Sequence, residues 1–299
     1  MYPSGKLKVL CTTAMCADLV AAVGGDQVDC LTLIQGESDP HSYQLVKGDD
    51  EKFARADIIF YSGLGLEHGP SLSHMLENNS RAHALGEYIR SIHPDEILFV
   101  DNTVDPHIWM DVGLWKESIT YIADVLSKVR PFKAEDFRAR AAKELENYTQ
   151  ADAEIRAILQ SIPESLRYLV TTHDAFNYFS RAYLCERGEN IRDESVTQCW
   201  KERSQAPEGL APDSQLSTAD IKRLVDHIVK YRIKVVFAES NVNRDSLKKL
   251  VDSVGSKGHQ VLIATKPLYA DSLGEKGGPA GTYINMMRYN AETISEGLR

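Results

Sequence analysis

Residues 131–163 read PFKAEDFRARAAKELENYTQADAEIRAILQSIP. Between Pro131 and Pro163 there is neither proline nor glycine, and Ala, Glu, Arg, Leu and Gln dominate, all good helix formers. Pro131 can open a helix, because its missing N–H falls where no intrahelical acceptor exists, and Pro163 must stop or deform one. The stretch therefore predicts one uninterrupted helix of about thirty residues, roughly 40 Å long at 1.5 Å per residue. Such a rod is long enough to bracket two small domains. Its apolar positions do not keep a heptad repeat, which disfavours a free coiled coil.

On the N-terminal side, short β-branched runs at 7–12, 29–34, 57–62 and 97–100 alternate with helical patterns at 14–24 and 49–56. On the C-terminal side the clearest runs are 167–172, 234–238 and 260–264, separated by helical stretches at 218–231 and 243–255. Strand and helix alternating at this spacing predict mainly parallel sheets with helices packed on their faces. Ser217 followed by Asp220 carries the pattern of a capped helix start. The expected architecture is α/β, with two Rossmann-like lobes joined by a long rigid helix. Its expected divisions are an N-terminal lobe at 1–132, a linking helix at 133–163 and a C-terminal lobe at 164–299.

Composition narrows the function classes. Thirty-four Lys and Arg against forty-three Asp and Glu give a net charge of -9, so no nucleic-acid partner is expected. No run approaches the roughly 18 apolar residues of a membrane-crossing helix. Residues 1–6 contain no apolar leader core, as expected for a mature domain whose leader is absent from this chain. Five cysteines are too few to build the scaffold. Cys185 and Cys199 flank a polar, charged insert that a disulfide would tether, the other reading being two unrelated reduced thiols. Cys11, Cys16 and Cys30 lie on or beside apolar elements and read as packed free thiols.

Two of the nine histidines share one local frame. Asp39-Pro40-His41 and Asp105-Pro106-His107 each follow a predicted strand by a few residues, at the carboxyl edge where α/β folds bind ligands. Proline ahead of each histidine restricts the backbone where an imidazole must be aimed. His173 ends the first strand run of the second lobe, and Asp271 follows the last one. Three imidazoles with one carboxylate suit Zn, Fe, Mn or Co better than Ca or Mg. Taken singly, each histidine also reads as an ordinary hydrogen-bonded residue, and Asp271 as a turn residue. His68, His74, His83, His93, His227 and His259 have no repeated frame and are expected to be structural or solvent-facing.

Six ordered motifs give the whole pattern a family likeness. They are Asp39-Pro40-His41 with Tyr43, Gly63-Leu64-Gly65-Leu66-Glu67, Asp105-Pro106-His107-Ile108-Trp109, residues 173–179 from His173 through Phe179, Phe237-Ala238-Glu239-Ser240-Asn241, and Asp271-Ser272-Leu273-Gly274. Over nearly its full length the chain resembles the metal-binding solute-binding proteins of bacterial ABC importers, the manganese, zinc and iron class, and especially its chlamydial-type members. The resemblance implies a periplasmic or other extracytoplasmic receptor that captures one divalent Zn, Mn or Fe ion as cargo and delivers it to ABC permease membrane subunits. It implies His41 and His107 from the first lobe and His173 and Asp271 from the second as metal ligands, with no catalytic residues. A monomer is expected.

Two departures stand out. The region after His41 lacks the long His- and acid-rich loop of zinc-specialised relatives, which counts against dedicated zinc uptake, and the insert between Cys185 and Cys199 stands where relatives continue directly to the next strand, with a partner contact as its one suggested role. Asp174 and Glu239 are candidates to orient the imidazoles, or else to cap helices or form ordinary salt bridges. A metal-dependent hydrolase would need an open coordination position and a general base, and no His-Glu-x-x-His motif is present. The glycine-rich run 274–282 lacks the Gly-Lys-Ser/Thr order of a phosphate loop. An adhesin built on the same fold is the remaining alternative, without any repeat or stalk to support it.

Overall fold

The computed structural model describes residues 5–186, 194–212 and 217–299, with the backbone alone described for 194–198. In chain order the first half contains β1 (Leu7–Cys11), α1 (Ala14–Gly24), β2 (Val28–Thr32), α2 (Asp49–Arg55), β3 (Ile58–Tyr61), α3 (Pro70–Glu77), β4 (Ala82–Ala84), α4 (Leu85–Ile92), β5 (Phe99–Val100), β6 (Thr103–Val104), α5 (Val112–Trp115) and α6 (Ser118–Val129). There follow α7 (Ala134–Gln160), β7 (Leu169–Val170), α8 (Asn177–Phe179), α9 (Glu194–Arg203), β8 (Ser204–Gln205), α10 (Thr218–Tyr231), β9 (Val235–Val236), α11 (Asp245–Gly255), β10 (Leu262–Ile263) and α12 (Tyr283–Leu298).

The expected long helix is α7, preceded by a single 3-10 turn at Pro131–Lys133. Phe137, Ala141, Tyr148, Ala151, Ile155 and Leu159 are buried along it, at intervals of three, four or seven residues that return to one face of a 3.6-residue helix. The apolar stripe is thus continuous, and Ala141, Tyr148 and Ile155 recur along it at seven-residue spacing. Near its start, Arg140 donates to the carbonyls of Val23 and Gly24, satisfying the acceptors left open at the end of α1.

The chain divides into two compact units. One comprises Met1–Pro94, Val112–Gln150 and Asp271–Leu273, the other Asp95–Asp111, Ala151–Ala270 and Gly274–Arg299. The first holds a four-stranded parallel sheet in the order β2-β1-β3-β4. Leu10, Leu33, Ile34, Phe53, Ile59, Leu72 and Leu76 form one of its apolar cores. Each such buried side chain contributes about 1.5–3 kcal/mol over leaving it in water. In the second unit β7 pairs with β8 and β10 with β9, both parallel, and the Phe237 N–H donates to Val170 at 2.8 Å to link the two pairs. Its core gathers Val170, Leu224, Ile228, Val236, Leu247, Leu250 and Val254.

Most predicted elements appear, shortened at the ends. Ser217 caps α10 reciprocally with Asp220, as the sequence predicts. The run 97–100 is different. It forms not another parallel strand but one arm of a two-residue antiparallel hairpin, β5-β6. Asp101 and Asn102 turn it with φ of 48° and 66°, the left-handed pair that a tight hairpin turn requires and that Asp and Asn tolerate best. The hairpin and the segment after it, including His107, pack with the second unit.

The expected bridge is formed: Cys185 and Cys199 are disulfide-bonded across a separation of 14 residues. The insert between them falls largely outside the described residues, as does any partner contact it makes. Among the described residues no helix is long and apolar enough to cross a membrane.

Candidate metal centre

The two Asp-Pro-His frames fold alike at the backbone. The N–H of His41 donates to Asp39 Oδ1 at 2.9 Å, and the N–H of His107 donates to Asp105 Oδ1 at 2.9 Å. In each the aspartate caps the histidine two residues on, a local turn that fixes where the imidazole leaves the chain. Proline between them holds φ near the value this turn needs.

Beyond the turn the frames diverge. The second oxygen of Asp39 accepts from Ser42 Oγ at 2.6 Å. Asp105 instead reaches the ring: its Oδ1 lies 2.8 Å from His107 Nδ1, while its Oδ2 accepts from the Asn177 amide at 3.1 Å. Asp105 and His107 are both wholly buried, and a carboxylate fixed by three donors holds the ring with Nδ1 toward it.

His173 is held by the same device from a different element. It follows β7, and Glu239 follows β9. Glu239 Oε1 accepts the backbone N–H groups of Thr172 and His173, each at 3.0 Å, while Oε2 lies against His173 Nδ1. The Glu239 N–H in turn donates to Thr172 Oγ1 at 3.2 Å. Of the two acids expected to orient imidazoles, Glu239 does so. The Asp174 carboxyl, raised to about 6 by burial first and by the nearby Asp105 charge second, accepts from Asn177 and feels the charges of His107 and His173. Asp105 also orients an imidazole, a role for which the aspartate opening the second Asp-Pro-His frame is the sequence signal.

The segment leading to Asp271 is pinned by three side chains. Trp109 Nε1 donates to the Ala270 carbonyl at 2.9 Å, and Asn290 on α12 both donates to the Tyr269 carbonyl at 2.7 Å and accepts from its N–H at 3.0 Å. Tyr283 closes the arrangement by donating to the Trp109 carbonyl at 2.6 Å.

The four residues selected from sequence are brought together. Donor atoms of His41, His107, His173 and Asp271 all lie within 4.8 Å of one another, and all four side chains are buried. His41 Nε2 stands 3.7 Å from Asp271 Oδ2, and the His107 and His173 ring centroids are 5.3 Å apart. Among the described residues no other group of this kind occurs. The other histidines lie elsewhere: His83 contacts Tyr121 Oη, His259 contacts the Ile233 carbonyl, and His227 packs against Tyr231. Exposed His68 lies beside His41, with ring centroids 5.7 Å apart.

Residues 9–297 match the family described as "Zinc-uptake complex component A periplasmic", ZnuA. The chain belongs to this family. Among ZnuA-family relatives, the metal-binding protein YtgA of Chlamydia pneumoniae is 39% identical over 97% of this chain and 85% of its own length. The manganese-binding lipoprotein MntA of Bacillus subtilis is 33% identical over 98% of this chain and 90% of its own. The structure of Fe(III)-bound YtgA from Chlamydia trachomatis superposes with a TM-score of 0.90 at 36% identity, covering 98% of both chains. The periplasmic zinc-binding protein TroA of Treponema pallidum superposes with a TM-score of 0.86 at 32% identity, covering 98% of this chain and 99% of its own. This ZnuA-family chain is therefore an extracytoplasmic substrate-binding component of a metal ABC importer, and not an enzyme.

Proposed function

We propose that His41, His107, His173 and Asp271 coordinate one transition-metal ion of the Fe, Mn and Zn group as cargo, and that the chain carries it as a monomer to its membrane permease. The observation behind this reading is the meeting of four buried donors within 4.8 Å. Donors around a tetrahedral ion with bonds of about 2.1 Å lie about 3.4 Å apart, so the cluster contracts modestly as the ion enters. Four protein ligands fill such a shell and leave no position for a reacting water, in keeping with transport rather than hydrolysis.

Cargo preference follows from the donors. Three imidazoles and one carboxylate make a nitrogen-rich set, which favours Fe and Zn over Mn on intrinsic affinity. Relatives named for iron, zinc and manganese all occur, so geometry also contributes. The test is anaerobic competition among Fe(II), Mn(II) and Zn(II) on chelator-stripped protein, with Fe(III) measured separately and bound metal quantified. One tight equivalent is expected, with Mn(II) weakest and His173→Ala weakening binding at least tenfold. Absence of stoichiometric binding by any of these ions would reject the ligand assignment. Light scattering of the loaded protein checks the monomer.

A further inference from the structure

Three thiols in the first unit play no part in the metal centre, and two of them touch. In the parallel pairing of β1 with β2, Val9 stands opposite Cys30. Cys11 is two residues beyond Val9 and so shares its face of the sheet, and Cys30 falls on that face too. The Cys11 and Cys30 sulfurs are 3.5 Å apart, with Cys30 Sγ also 3.7 Å from the Ala17 carbonyl of α1. We propose that Cys11 and Cys30 form a second disulfide as the chain folds in its extracytoplasmic compartment, a covalent link between β1 and β2.

A disulfide has an S–S length of about 2.05 Å, so the sulfurs must close by about 1.5 Å. Cys11 stands two residues beyond the position opposite Cys30, so closure takes a backbone adjustment of the edge strand as well as side-chain torsion. β2 is the edge strand of its sheet and Cys30 is partly exposed, whereas Cys11 lies fully buried behind it. Cys16 is the third thiol. It is engaged elsewhere, with its sulfur 3.5 Å from Ser62 Oγ at the end of β3, and stays reduced.

The bond forms by thiol–disulfide exchange with an external disulfide, such as glutathione disulfide or an oxidant protein of an oxidising compartment. The Cys30 thiolate attacks one sulfur of that disulfide and expels a thiolate, leaving a mixed disulfide. Cys11 then loses its proton to solvent, attacks Cys30 Sγ and expels the second thiolate. The cysteine pair is oxidised by two electrons and the external disulfide is reduced to two thiols. Burial pushes the Cys11 thiol well up and that of Cys16 up to about 12, so attack is slow in the folded protein. The bond therefore closes while β1 and β2 are assembling, before α1 seals them. Its place matters, because β2 leads directly into the segment that carries His41.

The full chain is exported to the periplasm of a bacterial host, acid-quenched, unfolded in alkylating reagent and digested, with chain made in a reducing cytoplasm as control. The Cys185–Cys199 bridge reports in the same molecules whether the compartment oxidised the chain. The expected result is a peptide pair joined through Cys11 and Cys30, with Cys16 the single alkylated cysteine, and a thermal midpoint higher than in Cys30→Ser. Cys16→Ser keeps the link, and Cys11→Ser leaves Cys30 alkylated or carrying a small-thiol adduct. Alkylation of both Cys11 and Cys30 in molecules that carry the Cys185–Cys199 bridge, or a link from either one to Cys16, overturns the proposal.

Discussion

Glu239 grips His173 at two levels, accepting its backbone N–H with one carboxylate oxygen and facing its ring Nδ1 with the other. The carboxylate thereby sets both the course of the chain leaving β7 and the imidazole's tautomer. Partners of this kind outside the ligand shell commonly govern 10–100-fold in metal affinity. Glu239→Gln is expected to weaken metal binding by about that factor while the protein stays folded. Titration of stripped protein with a competing chelator measures it. Unchanged affinity in the variant would show that His173 is oriented by packing alone.

A second carboxylate holds up the first unit. Glu67 Oε1 accepts from Thr12 Oγ1 at 2.7 Å and from the Ser62 N–H at 2.8 Å, while Oε2 accepts from the Gly63 N–H at 3.0 Å. It ties the end of β1 to the turn after β3, where Gly63 and Gly65 both have φ of 81° and Leu64 is left-handed at 54°. Burial raises its carboxyl above the usual range, and these hydrogen bonds oppose that rise. Glu67→Ala strands several buried donors at once, each costing about 1–3 kcal/mol. A loss of at least 2 kcal/mol in urea unfolding is expected, and a loss below 0.5 kcal/mol would contradict this role.

Histidine 227 supplies a pH dependence remote from the metal centre. Burial first, and Lys230 second, push its pKa down from 6.5 to about 4, against a smaller opposing effect from Glu202. Tyr168 and Tyr231 flank the ring, and among the described residues its Nε2 has no hydrogen-bond partner. The unfolded chain therefore takes up this proton at higher pH than the folded one. The stability contribution is complete above about pH 6.5 and is lost as pH falls toward 4, amounting to about 2–3 kcal/mol at the low end. His227→Phe should flatten the fall in thermal midpoint of chelator-stripped protein between pH 6.5 and 4. Parallel curves for the two proteins would locate the acid sensitivity in other groups.

Much of this was legible in the chain itself. The absence of proline and glycine between Pro131 and Pro163 was enough for α7, because helix propensity and the missing proline N–H act locally. The reciprocal cap at Ser217 and Asp220 is likewise a matter of three residues' spacing. The two Asp-Pro-His repeats marked the ligand candidates before any geometry was known. The hairpin at 99–104 is not legible in the same way, because its apolar run has the pattern of the parallel strands around it. Only the left-handed pair Asp101 and Asn102, a turn feature two residues long, distinguishes it.

What the sequence determined alone was therefore everything governed by neighbours along the chain: the long helix, the α/β alternation, the capped starts and the four metal-ligand candidates. Tertiary structure decided the rest. It put His107 and its hairpin with the second unit, brought Asn177 to Asp105 and Glu239 to His173, and set the Cys11 and Cys30 sulfurs in contact. Those pairings join residues 19 to 72 positions apart. No local periodicity encodes them, because they depend on which strand lies beside which and in what register.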